Sequence, residues 1–135
     1  MLKRQIENQT KFKSNFEQLI HNTLPDGIEY EPDTLEYIQP EKVRHYTPDF
    51  KLRPNHYIEA KGLFTVEDRQ KMLLIKSQYP EHTFYMLFQN ANSKIKKGSK
   101  TTYAMWAEKN GFPWAHMPKG IPKHWIEPDE PTPSN

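Results

Sequence analysis

Residues 46 to 52 alternate in character, with Tyr46, Pro48, Phe50 and Leu52 on one side and Thr47, Asp49 and Lys51 on the other. Residues 56 to 61 do the same, setting Tyr57, Glu59 and Lys61 against Ile58 and Ala60. A period of two is that of a strand with one dry and one wet face, so the two stretches predict a hairpin. A two-residue loop at Pro54-Asn55 would pair Phe50 with Glu59 and mix apolar with acidic side chains on one face. A three-residue loop, Pro54-Asn55-His56, pairs Arg53 with Tyr57, Lys51 with Glu59 and Asp49 with Lys61. It leaves Leu52 beside Ile58 and Phe50 beside Ala60, and Asn55 or His56 can take the left-handed backbone such loops need. Asp49 and Glu59 then become diagonal neighbours, about 7 Å apart at the backbone.

The other periodicities surround this hairpin. Ser14-Asn15-Phe16-Glu17 has the form of a capping box and opens a helix over 15–23, with Phe16, Leu19 and Ile20 as its apolar stripe and Pro25-Asp26-Gly27 as its stop. Residues 29–39, with Tyr30, Leu35, Tyr37 and Ile38, suit extended chain. Thr65 to Asp68 opens a second helix that runs to about residue 78, and 84–88 is an apolar run suited to a buried strand. The strand at 57–61, this helix and the strand at 84–88 form a βαβ unit, which requires the two strands to be parallel. A last helix over 101–109 presents Tyr103 and Trp106 with Ala104, Met105 and Ala107, a stripe that reads as core packing, and Asn110-Gly111 ends it. The expected class is therefore α/β, a mixed β-sheet flanked by helices. One domain spans 1–128 and residues 129–135 form a Pro-rich, flexible tail.

Composition adds boundaries more than direction. With 135 residues, 7 Phe, 7 Tyr and 3 Trp, the chain can bury a core. It has no cysteine, which removes disulfides and thiolate metal sites and fits a reducing compartment. Polar residues follow Met1-Leu2-Lys3-Arg4 where a signal peptide would be apolar, and no stretch approaches a membrane span, so a soluble, cytoplasmic protein is expected. The six histidines are scattered without an HExxH helix or paired-ligand spacing, which argues against a zinc enzyme. The absence of a phosphate-binding GxxxxGK[ST] loop and of a GxSxG elbow removes nucleotide-driven chemistry and serine hydrolysis. Formal net charge is only +2, but Lys94, Lys96, Lys97 and Lys100 crowd around Gly98-Ser99. Such a loop can grip phosphates through charge and backbone amides, with Ser99 among the contacts, or be an ordinary solvated loop. Arg44, His45, Lys51 and Arg53 would extend the positive rim. No side-chain pattern reads bases, which suits recognition of DNA shape.

Two carboxylates and a lysine on adjoining strands suit divalent-metal hydrolysis of a phosphodiester. Asp49 and Glu59 are hard oxygen ligands for Mg2+ or Mn2+, and the Ala60 carbonyl can fill a further position. Lys61 would orient or help deprotonate the attacking water and offset phosphate charge. The competing reading is a solvated salt-bridge ladder of Lys51, Glu59, Asp49 and Lys61. Glu17 offers a third carboxylate, for which helix capping and a second metal site are equally good explanations.

Several motifs in fixed order carry a resemblance over about residues 14–128. His45-Tyr46-Thr47-Pro48-Asp49-Phe50, Ile58 to Leu63, Asp68-Arg69 leading to Leu73-Leu74-Ile75, Lys94 with Lys97-Gly98-Ser99, Tyr103, Ile121-Pro122 and Trp125-Ile126 together resemble the bacteriophage endonuclease I family of Holliday junction resolving enzymes, within the PD-(D/E)XK nuclease superfamily. The resemblance implies that Glu17, Asp49, Glu59 and Lys61 are catalytic. It also implies that Mg2+ is the cofactor, that the substrate is branched double-stranded DNA, and that cleavage leaves a 5′ phosphate. It further implies a homodimer that exchanges segments across a bridge at about 29–45, so that each site takes its helical Glu from one chain and its Asp-Glu-Lys cluster from the other. Two alternatives stay open: a non-catalytic DNA-binding module on the same scaffold, and a restriction or transposon-end nuclease sharing the core.

Overall fold

In the computed structural model, residues 14–40 and 42–127 are described. The expected tail at 129–135 lies outside them. The elements are α1 (Asn15–Thr23), β1 (Glu29–Tyr30), β2 (Leu35–Gln39), β3 (Lys42–Tyr46), β4 (Phe50–Arg53), β5 (His56–Lys61), α2 (Val66–Gln78), β6 (Thr83–Phe88), α3 (Tyr103–Lys109), β7 (Trp114–His116), a short 3-10 turn (Met117–Lys119) and α4 (Lys123–Ile126). Five strands form a mixed sheet in the order β1-β4-β5-β6-β7. The β1/β4 and β4/β5 pairs are antiparallel, and β5/β6 and β6/β7 are parallel. β2 and β3 form a separate antiparallel pair. None of the described helices is long and apolar enough to cross a membrane.

Alternation along the central strands divides the core in two, one part on each face of the sheet. Tyr57, Phe84, Met86 and Phe88 meet Met72 and Ile75 of α2 and Tyr103, Trp106 and Ala107 of α3. Phe50, Ile58 and Leu87 meet Ile20 of α1, Leu24 just past its end, and Trp125 of α4. The result is a helix/sheet/helix sandwich, the layering expected of a parallel core crossed by helices. Phe64 presses edge-on against Trp106, with ring centroids 4.9 Å apart, and so ties the exit of β5 to α3. Met105, expected in the α3 stripe, turns outward instead.

The caps form as the sequence predicts, with one instructive exception. Thr65 and Asp68 complete a reciprocal capping box on α2. On α1, the Ser14 hydroxyl accepts the Glu17 amide at 3.1 Å, but Glu17 takes the Tyr30 hydroxyl at 2.6 Å.

The predicted β4/β5 register is corrected. Phe50 faces Ile58 and Lys51 faces Tyr57, then Arg53 faces His56 after a shift between Lys51 and Arg53. The turn is therefore the two-residue Pro54-Asn55, with Asn55 at φ 67°. Leu52 is the extra residue of a bulge, which restores the face parity that a plain two-residue loop would have broken. Phe50 and Lys51 keep their expected faces while their partners move by two residues, but Arg53 moves by one, opposite His56, and its guanidinium reaches the Trp125 carbonyl at 2.7 Å and the Tyr85 hydroxyl at 3.0 Å on the other face. A second correction follows, because Lys51 pairs with Asp33 at 3.0 Å and not with Glu59. The salt-bridge ladder therefore does not form. The alternation read from residue 46 also breaks: Tyr46 closes β3, and Thr47 to Asp49 lead the chain across to β4.

Candidate active site

At one end of the sheet β4 parts from β5, and the side chain of Asp49 takes over where the ladder stops. Its Oδ2 accepts the Ala60 amide at 2.8 Å, and its own carbonyl accepts the Glu31 amide at 2.7 Å. Ala60 thus connects Asp49 to β5 between Glu59 and Lys61. Burial and then the nearby charge of Glu59 push the Asp49 carboxyl up to about 8, and Glu17 adds to the shift.

Glu59 is a buried charged residue of the core, 7% exposed. Its Oε1 accepts the Tyr46 hydroxyl at 2.6 Å, and its Oε2 lies 3.3 Å from Lys61 Nζ. Burial raises the Glu59 carboxyl, against the opposing pull of Lys61 and Tyr46. Tyr46 is pushed well up by burial and by Glu59, so it remains a phenol that can donate.

Lys61 also meets Asp68 Oδ1 at 3.2 Å. Asp68 Oδ2 is meanwhile held by the Thr65 amide at 3.0 Å as part of the α2 cap. Burial alone would depress Lys61, but Glu59 and Asp68 outweigh it and the ammonium form is favoured. For Asp68, burial is outweighed by the Thr65 amide and Lys61, and its carboxyl is lowered. Lys61 is therefore suited to stabilising negative charge rather than accepting a proton at neutral pH, which narrows the role expected of it.

Glu17 influences Asp49 through charge while Tyr30 holds its Oε2. Among the described residues no three His, Asp or Glu side chains gather into a metal cluster. The donors that fit a hard divalent cation are the Asp49 and Glu59 carboxylates with main-chain oxygen, a set whose excess negative charge a cation would relieve.

The lysine loop faces solvent. Lys94, Lys96, Lys97 and Lys100 are exposed, and the chain turns through Gly98 at φ 82°. Ser99 Oγ accepts the Thr101 amide at 3.0 Å. Arg69, to which no sequence pattern assigns a role, anchors the loop: Nη1 donates to the Phe64 carbonyl at 2.7 Å and the Ile95 carbonyl at 3.3 Å. Arg44 sits elsewhere, exposed on β3 and bonded through Nε to Gln39 at 3.2 Å. Tyr46 and Asp68 also support the site without being singled out by the sequence for that role. The capping motif around Asp68 is a visible signal, whereas the contact made by Tyr46 depends on the strand ending there and the chain passing to another sheet, which alternation does not reveal.

A family model described as phage endonuclease I matches residues 1–134. The chain is 39% identical over 126 residues to Endonuclease I of Escherichia phage T7, covering 90% of this chain and 83% of that protein. It is 41% identical over 107 residues to Endodeoxyribonuclease 1 of Enterobacteria phage T3, covering 77% of this chain and 70% of that protein.

Proposed function

The chain belongs to the phage endonuclease I family, and we propose that it is a metal-dependent DNA endonuclease of PD-(D/E)XK type that cuts branched duplexes, including four-way Holliday junctions. The observation that carries this reading is the pair of carboxylates, Asp49 bonded to the Ala60 amide at 2.8 Å and the buried Glu59, with Lys61 at 3.3 Å from the latter, where β4 and β5 separate. A surface ladder needs no such burial, and an unrelieved acidic pair is costly unless it serves a cation.

Asp49 and Glu59 would hold Mg2+, or Mn2+ in its place, with the Ala60 carbonyl as a further ligand. When bound, the ion supplies Lewis acidity that polarises the phosphodiester and acidifies water. Lys61 stabilises the charge that builds on the phosphate oxygens, and Asp68 keeps its ammonium in place. Glu17 contributes negative charge on the α1 side of the site. Lys94, Lys96, Lys97 and Lys100, with Ser99, bind the backbone of the duplex, and Arg44 extends the positive surface from β3. The protein acts as a homodimer, because resolving a four-way junction requires two cuts. The contacts of α1 with the sheet can be made within one chain or by the partner's α1 if segments are exchanged through residues 29–45, leaving the site chemistry the same. The setting is the cytoplasm of a phage-infected cell.

The test is incubation of the protein with a four-way junction and a matched linear duplex in Mg2+, Ca2+ or EDTA. Cleavage of the junction in Mg2+, binding without cleavage in Ca2+, and loss of cutting with retained binding in Asp49→Asn and Glu59→Gln are expected. Failure of the pure dimer to cut branched DNA in Mg2+ or Mn2+ would leave the non-catalytic binding module.

A further inference from the structure

We propose that Tyr46 is a positioning residue, whose phenol fixes the rotamer from which Glu59 shares a cation with Asp49. The inference rests on the metal site proposed above. It concerns a residue outside the acidic cluster and on a different sheet.

The two oxygens of Glu59 have different partners. Lys61, from the same strand, meets Oε2, and Tyr46, from the end of β3, meets Oε1 at 2.6 Å. A carboxylate has about four lone-pair sites, so these two contacts set its torsion and leave room for a cation. Tyr46 is itself firmly seated: it is buried, its ring lies 6.1 Å from Phe84, and Lys71 Nζ stands 4.9 Å from the ring centroid. It ends β3 opposite Leu35 of β2. The β2 strand is clamped to the end of α2, where Gln78 accepts the Ile38 amide at 2.6 Å and donates to the Ile38 carbonyl at 2.7 Å, and Tyr79 donates to the Glu36 carbonyl at 2.6 Å. A buried phenol needs an acceptor, and the one Tyr46 uses is the carboxylate that the chemistry requires. Groups that orient a metal ligand typically carry about 10–100-fold of metal affinity or activity.

Tyr46→Phe keeps the ring and removes only the donor. In full-length protein without DNA, calorimetric titration with Mn2+ should show affinity lowered about 10–100-fold. The Mg2+ concentration for half-maximal junction cleavage should rise in parallel, with much of kcat recovered at high Mg2+, while junction affinity in EDTA stays unchanged. Equal Mn2+ affinity and equal Mg2+ dependence in wild type and Tyr46→Phe would overturn the proposal. Absence of Mn2+ binding by the wild type would instead overturn the metal site on which it rests. A measurement independent of this variant's folding is 13C NMR of the tyrosine rings in wild-type protein. Ca2+ should shift one buried tyrosine resonance, and the shift should vanish in Glu59→Gln. No shift in the wild type would count against Tyr46.

Discussion

Asp68 holds Lys61 at 3.2 Å with one carboxylate oxygen while the other accepts the Thr65 amide that opens α2 at 3.0 Å. The helix cap and the charged lysine of the site thus share a single side chain. Asp68→Asn retains a weaker cap and loses the ion pair. It should cost about 1 kcal/mol of stability in thermal melts, the usual scale of a damaged cap. Single-turnover junction cleavage should fall at least about ten-fold with junction affinity intact, since a Lys61 held by Glu59 alone stabilises the transition state less well. A variant that cleaves at the wild-type rate would remove Asp68 from the site.

Asp49 makes the metal-free protein pH-sensitive in an uncommon direction. Its carboxyl, raised from 3.8 to about 8, binds a proton more tightly in the folded state, so folding stability falls as pH rises between those values. In EDTA, wild type should melt at a higher temperature at pH 5 than at pH 8, and Asp49→Asn should flatten that slope. At pH 8 the variant should gain roughly 2 kcal/mol, a figure well below the full shift at about 1.36 kcal/mol per unit because water reaches one side of the site. Its Oδ1 can still accept the Ala60 amide. Saturating Mn2+ should reverse the order by stabilising the wild type alone. Equal melting of both proteins at pH 8 in EDTA would contradict the burial cost assigned to Asp49.

The lysine loop should act through charge. Replacing Lys94, Lys96, Lys97 and Lys100 with Gln should reduce the slope of log affinity against log salt by about one for each phosphate that a lysine no longer neutralises. Cleavage at saturating enzyme should change little. An unchanged slope in binding assays in Ca2+ would assign phosphate recognition to other residues.

Arg69 governs where that loop sits. Its guanidinium joins the Phe64 and Ile95 carbonyls, one beside the exit of β5 and one in the loop. Arg69→Met removes both bonds while keeping much of the stem. It should destabilise the fold by about 1–3 kcal/mol, the range for charged hydrogen bonds. Junction affinity should drop without loss of any lysine, and proteolysis should cut within residues 94–100 sooner than in wild type. Resistance equal to wild type would mean that the loop holds itself.

The three longer helices are legible because their signals are local, whereas the one-turn α4 at Lys123–Ile126, which has no side-chain cap, is not. Ser14, Thr65 and the Asn110-Gly111 stop sit within a turn of the elements they bound, and Thr65 with Asp68 forms the box their spacing announces. Strand β6 is equally open to reading, since residues 84–88 are all buried and lie between parallel neighbours on both sides. β7 escapes notice because Ala115 is its one buried residue and prolines bracket the segment. The β2/β3 pair is hidden for a related reason: strand β3 exposes four of its five residues and shows no apolar alternation.

The order of residues along the chain was enough to specify an α/β sheet, the grouping of Asp49, Glu59 and Lys61, and the lysines of the loop, because each depends on periodicity or short spacing. Their partners came from packing. A bulge at Leu52 moved the register by two residues, Asp33 captured Lys51, and the break in strand structure at Thr47 to Asp49 left Tyr46 on Glu59. These contacts join residues up to 18 positions apart, as in Asp33 and Lys51, and a strand pair tolerates more than one register of equal parity. The burial of the whole core selects among them, and no local pattern carries that information.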